Sequence, residues 1–298
     1  MRDWVPTNDP LFETLTQTVR TGRCIAVIGA GMSSPDYPLW EPLVSSICST
    51  CGVRPEDSRS NDFLDLAEAA RVKDEGKYRQ TLIATFARKV NPVSAYRYHL
   101  LARIHFASYV TSNVDPLLVD VLSLHRNITL TAYPHLYDWR HGKREIYHLH
   151  GRVDPERPMA MPEIVLARSD FDHAYNPSET LLHSFLQHMF VNHDVCFLGF
   201  NPAEQNLRRI LQPCRALVSQ GFGLNVPNPP RWYLLLDEIS SPATGLAESG
   251  IQLVKYPRTN AAFLGLDKVL EHWAEKRDPF VRMPGMQQPF DPATEPEQ

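Results

Sequence analysis

Cys24-Ile-Ala-Val-Ile-Gly-Ala-Gly-Met-Ser-Ser34 decides the fold. Its first five residues are apolar without alternation, the pattern of a strand buried on both faces, and such strands belong to parallel sheets with helices on each side. Gly29 and Gly31 follow at once, and without Cβ atoms they let the backbone come close to a ligand, while Ser33 adds a hydroxyl. Residues 39–49 can form a helix, whose N-terminal amides and dipole would favour a phosphate. The dinucleotide fingerprint Gly-x-Gly-x-x-Gly/Ala is not completed, because Ser34 stands at its third small position. A tight strand-to-helix turn without a ligand is the competing reading of this stretch.

Outward from this turn, runs rich in apolar and β-branched residues recur with helical stretches between them. Strands are expected over residues 24–29, 108–112, 127–131, 146–150, 164–166, 195–199, 231–236 and 251–256, with a closing helix over 266–275. The fold class this implies is α/β: a Rossmann-like, mostly parallel sheet with helices on both faces. Between the first two strands, Phe63, Leu66, Ala67, Ala70, Leu82, Ile83, Phe86 and Ala87 recur at helical spacing, so a helical insertion over about residues 54–104 is expected within one domain spanning 1–298. Residues 282–298, rich in Pro, Gln and acid without an apolar period, read as a flexible tail.

A net charge of -4 argues against a broad nucleic-acid or anionic-membrane footprint. No apolar run approaches a membrane span and the N-terminus lacks a secretory signal, so a cytoplasmic protein is expected. The five cysteines, odd in number and set in apolar segments, read as reduced thiols. Cys48-Ser-Thr-Cys51 has zinc spacing, but no second pair completes four ligands, so no metal site is expected.

Three further segments carry chemistry. Tyr109-Val-Thr-Ser-Asn-Val-Asp115 delivers Asn113 and Asp115 just past a strand's carboxyl end, where open α/β sheets bind ligands; as an alternative, Asp115-Pro116 caps the next helix. Ile146-Tyr-His-Leu-His-Gly151 puts His148 and His150 on one face, with His150 at the strand end and of a type suited to proton transfer near neutrality. Val195-Cys-Phe-Leu-Gly-Phe-Asn-Pro202 is a further strand that opens into a glycine loop.

In this order and spacing, the four segments resemble the sirtuin superfamily from about Arg23 to Glu275, and in particular its bacterial antiphage-defence branch. Pro38-Leu-Trp40 after the glycine turn, Tyr98-His-Leu-Leu before the Asn113 strand and residues 164–175 after His-Gly add to the likeness. The resemblance implies NAD as substrate. Position by position, Ala30, Gly31, Met32 and Ser33, beside Gly29, match the phosphate turn; Asn113 and Asp115 match the polar pair at the ribose and nicotinamide; His150 matches the catalytic histidine. Gly199, Phe200 and Asn201 would line the adenosine half, and Tyr256 would close over the adenine.

The departures choose between branches. The two Cys-x-x-Cys pairs that frame a deacylase's peptide groove are missing, and Pro38-Leu-Trp-Glu41 stands where deacylases have Pro-Asp-Phe-Arg. Ala203-Glu-Gln205 follows the late loop where defence relatives often carry Asp, which leaves the distal ribose contact open. The resemblance therefore implies an NAD hydrolase that releases nicotinamide and ADP-ribose. Competing readings are a silent NAD or ADP-ribose sensor or scaffold and a protein deacylase or ADP-ribosyltransferase. It also implies control from outside the chain: a homo-oligomer, a hexameric DNA-translocase-type ATPase or a short Argonaute-type protein.

Overall fold

The computed structural model describes residues 9–58, 60, 62–88, 90, 95–136, 145–156, 163–200, 211, 231–238, 250–257 and 264–275. Among them run seven strands, β1 (Cys24–Ile28), β2 (Tyr109–Thr111), β3 (Leu130–Ala132), β4 (Ile146–His148), β5 (Asp194–Leu198), β6 (Trp232–Asp237) and β7 (Ile251–Tyr256). All pair in parallel in the order β3-β4-β2-β1-β5-β6-β7. The expected parallel α/β sheet is thus present.

The register matters for function. Ile28 pairs with Thr111 on one side and Leu198 on the other, and Thr111 pairs with His148. Four strands therefore end level, and the residues that leave them, from Gly29, Ser112, Leu149 and Gly199 onward, emerge along one edge of the sheet. Because β1 lies between β2 and β5, the chain departs to both sides of it. That is where an open α/β sheet forms a crevice.

Alternation along the buried strands feeds two cores. Cys24, Ala26 and Ile28 face a layer containing α1 (Pro10–Arg20), α2 (Trp40–Cys51), α5 (Tyr96–Arg103), α6 (Leu117–His125) and α9 (Leu264–Glu275). Ile25 and Val27 face α7 (Arg168–Ala174) and α8 (Leu182–Asn192). Helix α1 escaped the sequence reading although its signals are present: Asp9 Oδ1 accepts from Leu11 N at 2.8 Å, Pro10 opens the first turn, and Phe12, Leu15 and Val19 form the buried stripe. Phe12 stacks on Trp273 of α9, whose indole N–H donates to Thr16.

Helices α3 (Phe63–Lys73) and α4 (Glu75–Phe86) pack on α2. The N-terminus of α7 is tied to α3: Arg168 pairs with Asp62 and Asp65, Arg71 with Asp170 at 2.6 Å, and the Ser169 hydroxyl donates to Glu68 at 2.7 Å.

Two expectations are corrected. Residues 164–166 are not a strand: Val165 N donates to His150 O at 3.1 Å, but no ladder follows, and the segment runs straight into α7. The strand expected to reach His150 ends at His148, although Leu149 N still donates to Thr111 O. Among the described residues, no helix is long and apolar enough to cross a membrane. The tail 282–298 and Cys214 lie outside the described residues.

Candidate functional site

Residue by residue, the level strand ends assemble a buried polar knot. Asn113, two residues beyond β2, turns its amide toward the glycine turn, and Nδ2 donates to Gly29 O at 3.1 Å and to Ser33 Oγ at 3.0 Å. Its own N–H is held by Thr111 Oγ1, which in turn donates to Ile28 O. Ser33 Oγ donates to Asp115 Oδ2 at 2.7 Å and lies 2.7 Å from the Tyr98 hydroxyl. A serine has one proton and two lone pairs. With the proton on Asp115, the lone pairs receive Asn113 and the Tyr98 O–H, and the hydroxyl is satisfied.

Asp115 does two jobs, since Oδ1 accepts from Leu117 N at 3.1 Å and so caps α6. The same carboxylate thus holds the start of α6 and the Ser33 hydroxyl. Burial pushes its pKa up to about 6, against the hydrogen bonds from Ser33 and Leu117 that favour the charged form. The sign for stability follows. A carboxylate whose folded-state pKa exceeds its unfolded value of about 4 holds its proton more tightly when folded, so the fold loses stability as pH rises from 4 to 6 and bears the whole cost above 6. Asp115→Asn does not titrate there. Urea unfolding of parent and variant at pH 4 and pH 7 should show the variant's relative stability rising by about 2 kcal/mol at the higher pH. A difference that stays flat with pH would refute the buried ionisation.

The glycine turn closes as a short 3-10 turn, Ala30–Met32, and α2 begins at Trp40, where the helix after the turn was expected. Gly31 N donates to Gly199 O at 2.8 Å, Met32 N to Gly29 O and Ser33 N to Ala30 O, both at 3.1 Å. In this conformation these amides are engaged by carbonyls. Gly199 and Phe200 lie against the turn, with Gly29 N bonded to Leu198 O. Asn201 lies outside the described residues.

The two histidines differ. His148 Nδ1 donates to Asn113 O at 2.9 Å, and complete burial lowers its pKa to about 3, so it is a neutral structural brace for the Asn113 loop. His150 is only 1% exposed, with Nε2 2.9 Å from the Tyr175 hydroxyl and the Phe171 ring edge-on at 4.9 Å. Tyr256 ends β7 and packs against Gly265 of α9. Tyr98 and Tyr175 were not singled out as site residues from sequence, where Tyr98-His-Leu-Leu and residues 164–175 only added to the likeness; packing brings Tyr98 to Ser33 and Tyr175 to His150.

The cavity beside Ser33, Asn113 and Asp115 also touches Trp40, Phe86 and Val165, and measures about 40 Å³. Small-molecule sites usually span about 300–1,000 Å³, so this one is contracted. A larger cavity of about 380 Å³ opens between α4 and α7, lined by residues such as Arg71, Tyr78 and Asp170. It contains neither Asn113 nor Asp115, both of which line the smaller cavity, so the smaller cavity is the candidate site, with His150 outside the lining of both. Cys48 and Cys51 send their thiols to Leu66 O and Asp74 O. Among the described residues, no three His, Cys, Asp or Glu side chains gather as a metal would need.

Comparison with known proteins agrees with the motif reading. Residues 107–253 match the model of the SIR2-like domain. The chain is 23% identical to the NAD(+) hydrolase ThsA of Enterococcus faecium over 218 residues, which cover 69% of this chain and 42% of that protein. It is 22% identical to Defense-associated sirtuin 2 of Bacillus subtilis over 215 residues, covering 71% of this chain and 21% of that protein. The chain thus spans less than half the length of these curated relatives. A solved Sir2 homolog–NAD complex is 15% identical, covers 88% of this chain and 94% of its own, and superposes with a TM-score of 0.45. An ADP-ribose complex of a mutant Sir2 homologue, 15% identical with 88% and 96% covered, gives 0.48.

Proposed function

From the premise that the chain carries a SIR2-like domain over residues 107–253, we propose that it hydrolyses NAD at the nicotinamide–ribose bond, giving nicotinamide and ADP-ribose. The observation that carries this is the buried knot of Ser33, Asn113 and Asp115 at level strand ends, with His150 on the neighbouring strand end. The name of the first curated relative supports the same chemistry.

The pyridinium charge already activates the leaving group, so the protein has mainly to orient the ribose and stabilise positive charge as it develops at the anomeric carbon. As the bond breaks, its electron pair passes to the ring nitrogen and neutralises the pyridinium. Water then adds to the anomeric carbon and gives up a proton. Asp115, ionised in most molecules at pH 7, supplies negative charge; Asn113 orients the water and the ribose; His150 takes the proton. The Gly29–Ser33 turn, with Gly199 and Phe200, receives the pyrophosphate and adenosine half, and Tyr256 closes over the adenine.

The contracted cavity and the engaged turn amides favour a resting state that opens on activation. We assign that activation to a protein partner or to self-assembly, and the biological role to antiphage defence by NAD depletion, in keeping with the second relative's name. The test is chromatography of nicotinamide and ADP-ribose after incubating the full chain with NAD, with and without acetylated peptide, and with crowding or candidate partners added. Release that needs no peptide is expected. NAD binding by calorimetry without release under every condition would replace the hydrolase by a sensor.

A further inference from the structure

Helix α7 presents two aromatic rings to His150. Phe171 and Tyr175 stack on each other at 5.8 Å with an interplanar angle of 10°, and both meet the imidazole edge-on. The Tyr175 hydroxyl lies 2.9 Å from His150 Nε2. The helix is fixed in turn by the Arg168 and Asp170 ion pairs to α3.

We propose that Tyr175 is the positioning residue of His150: its phenol donates to Nε2, holds the ring in the Nδ1–H tautomer and so keeps Nε2 as the basic nitrogen. A neutral imidazole has one donor and one acceptor nitrogen, and the partner of one decides the role of the other. His148 illustrates the rule, since a carbonyl that can only accept makes its Nδ1 the donor. A hydroxyl is less restrictive because it both donates and accepts. For Nε2 to take a proton the phenol O–H first turns off its lone pair, and the phenol oxygen then accepts from the new Nε2–H, so the contact survives both charge states. Tyr175 comes from an element outside both the glycine turn and the Asn113 loop. The inference rests on the reading of His150 as proton acceptor, but its structural half does not require turnover.

Tyr175→Phe keeps the stack on Phe171 and removes only the hydroxyl. In the ¹⁵N-labelled full chain, with His150 ring signals assigned by their loss in His150→Gln, the parent should show a protonated Nδ1 and a bare Nε2, and the variant should lose that preference. Under conditions where the parent hydrolyses NAD, kcat of Tyr175→Phe should fall about 10- to 100-fold with KM unchanged, the range expected when a reacting group is misoriented. An Nε2–H tautomer in the parent, or the same tautomer in parent and variant, overturns the proposal. So does an unchanged kcat in a variant whose tautomer has shifted. If no condition yields hydrolysis, the proposed function fails and the tautomer measurement still decides the role of Tyr175.

Discussion

His150→Ala should slow nicotinamide release from NAD by about 10²- to 10⁴-fold, the span usually supplied by a positioned general base. The variant should bind NAD nearly as the parent does, because the contacts that His150 makes with Tyr175 and Phe171 lie outside the glycine turn. Asn113→Ala should be as damaging for a different reason. Its amide joins Gly29 O to Ser33 Oγ, so truncation removes a reacting-side group and also frees the turn, and KM for NAD should rise while kcat falls. Residues that act as a unit are not additive. The double variant should therefore be little slower than the worse single one. A His150→Ala protein that releases nicotinamide at the parental rate would sink the hydrolytic role given to this histidine.

The parts of this molecule that were legible in the sequence are those whose cause is local. β1, β5 and β6 are apolar runs, broken only by a terminal Asp in β5 and in β6, because each is buried on both faces. Residues 164–166 have the same composition for another reason: Val165 and Leu166 are buried between the His150 turn and α7, and burial without a ladder cannot be told from a strand by residue type. Ser33, Asn113 and Asp115 could be nominated together because strand ends in a parallel sheet converge on one edge. Their partners could not. Tyr98 meets Ser33 across 65 positions, and Tyr175 meets His150 from the far end of a short helix, so only the packing of α5 and α7 on the sheet brings them in. The tie between α3 and α7 was equally hidden, because Arg71 meets Asp170 across 99 positions and Arg168 meets Asp65 across 103, so only packing brings them together.

Gly199→Ala should cost about 3 to 4 kcal/mol of stability, the sum of left-handed strain and a broken buried hydrogen bond, whereas Gly52→Ala should cost about 1 kcal/mol. The two glycines have nearly the same positive φ, +72 and +67, which strains any side chain added at either. Their surroundings separate them. A Cβ on Gly52, just past α2, meets nothing within 4 Å, while one on Gly199 would lie 2.6 Å from Met32 N and 3.1 Å from Gly31 C. Those are main-chain atoms of the glycine turn and cannot rotate aside. The turn would have to move off the β5 end, breaking the 2.8 Å bond from Gly31 N to Gly199 O and shifting Ser33 on its contacts with Asn113 and Asp115. Urea unfolding reads the stability difference, and calorimetry reads the accompanying loss of NAD affinity, which Gly52→Ala should not show. Equal losses in the two variants would mean that backbone strain alone is being measured, and that the close approach of β5 to the turn does not shape the site.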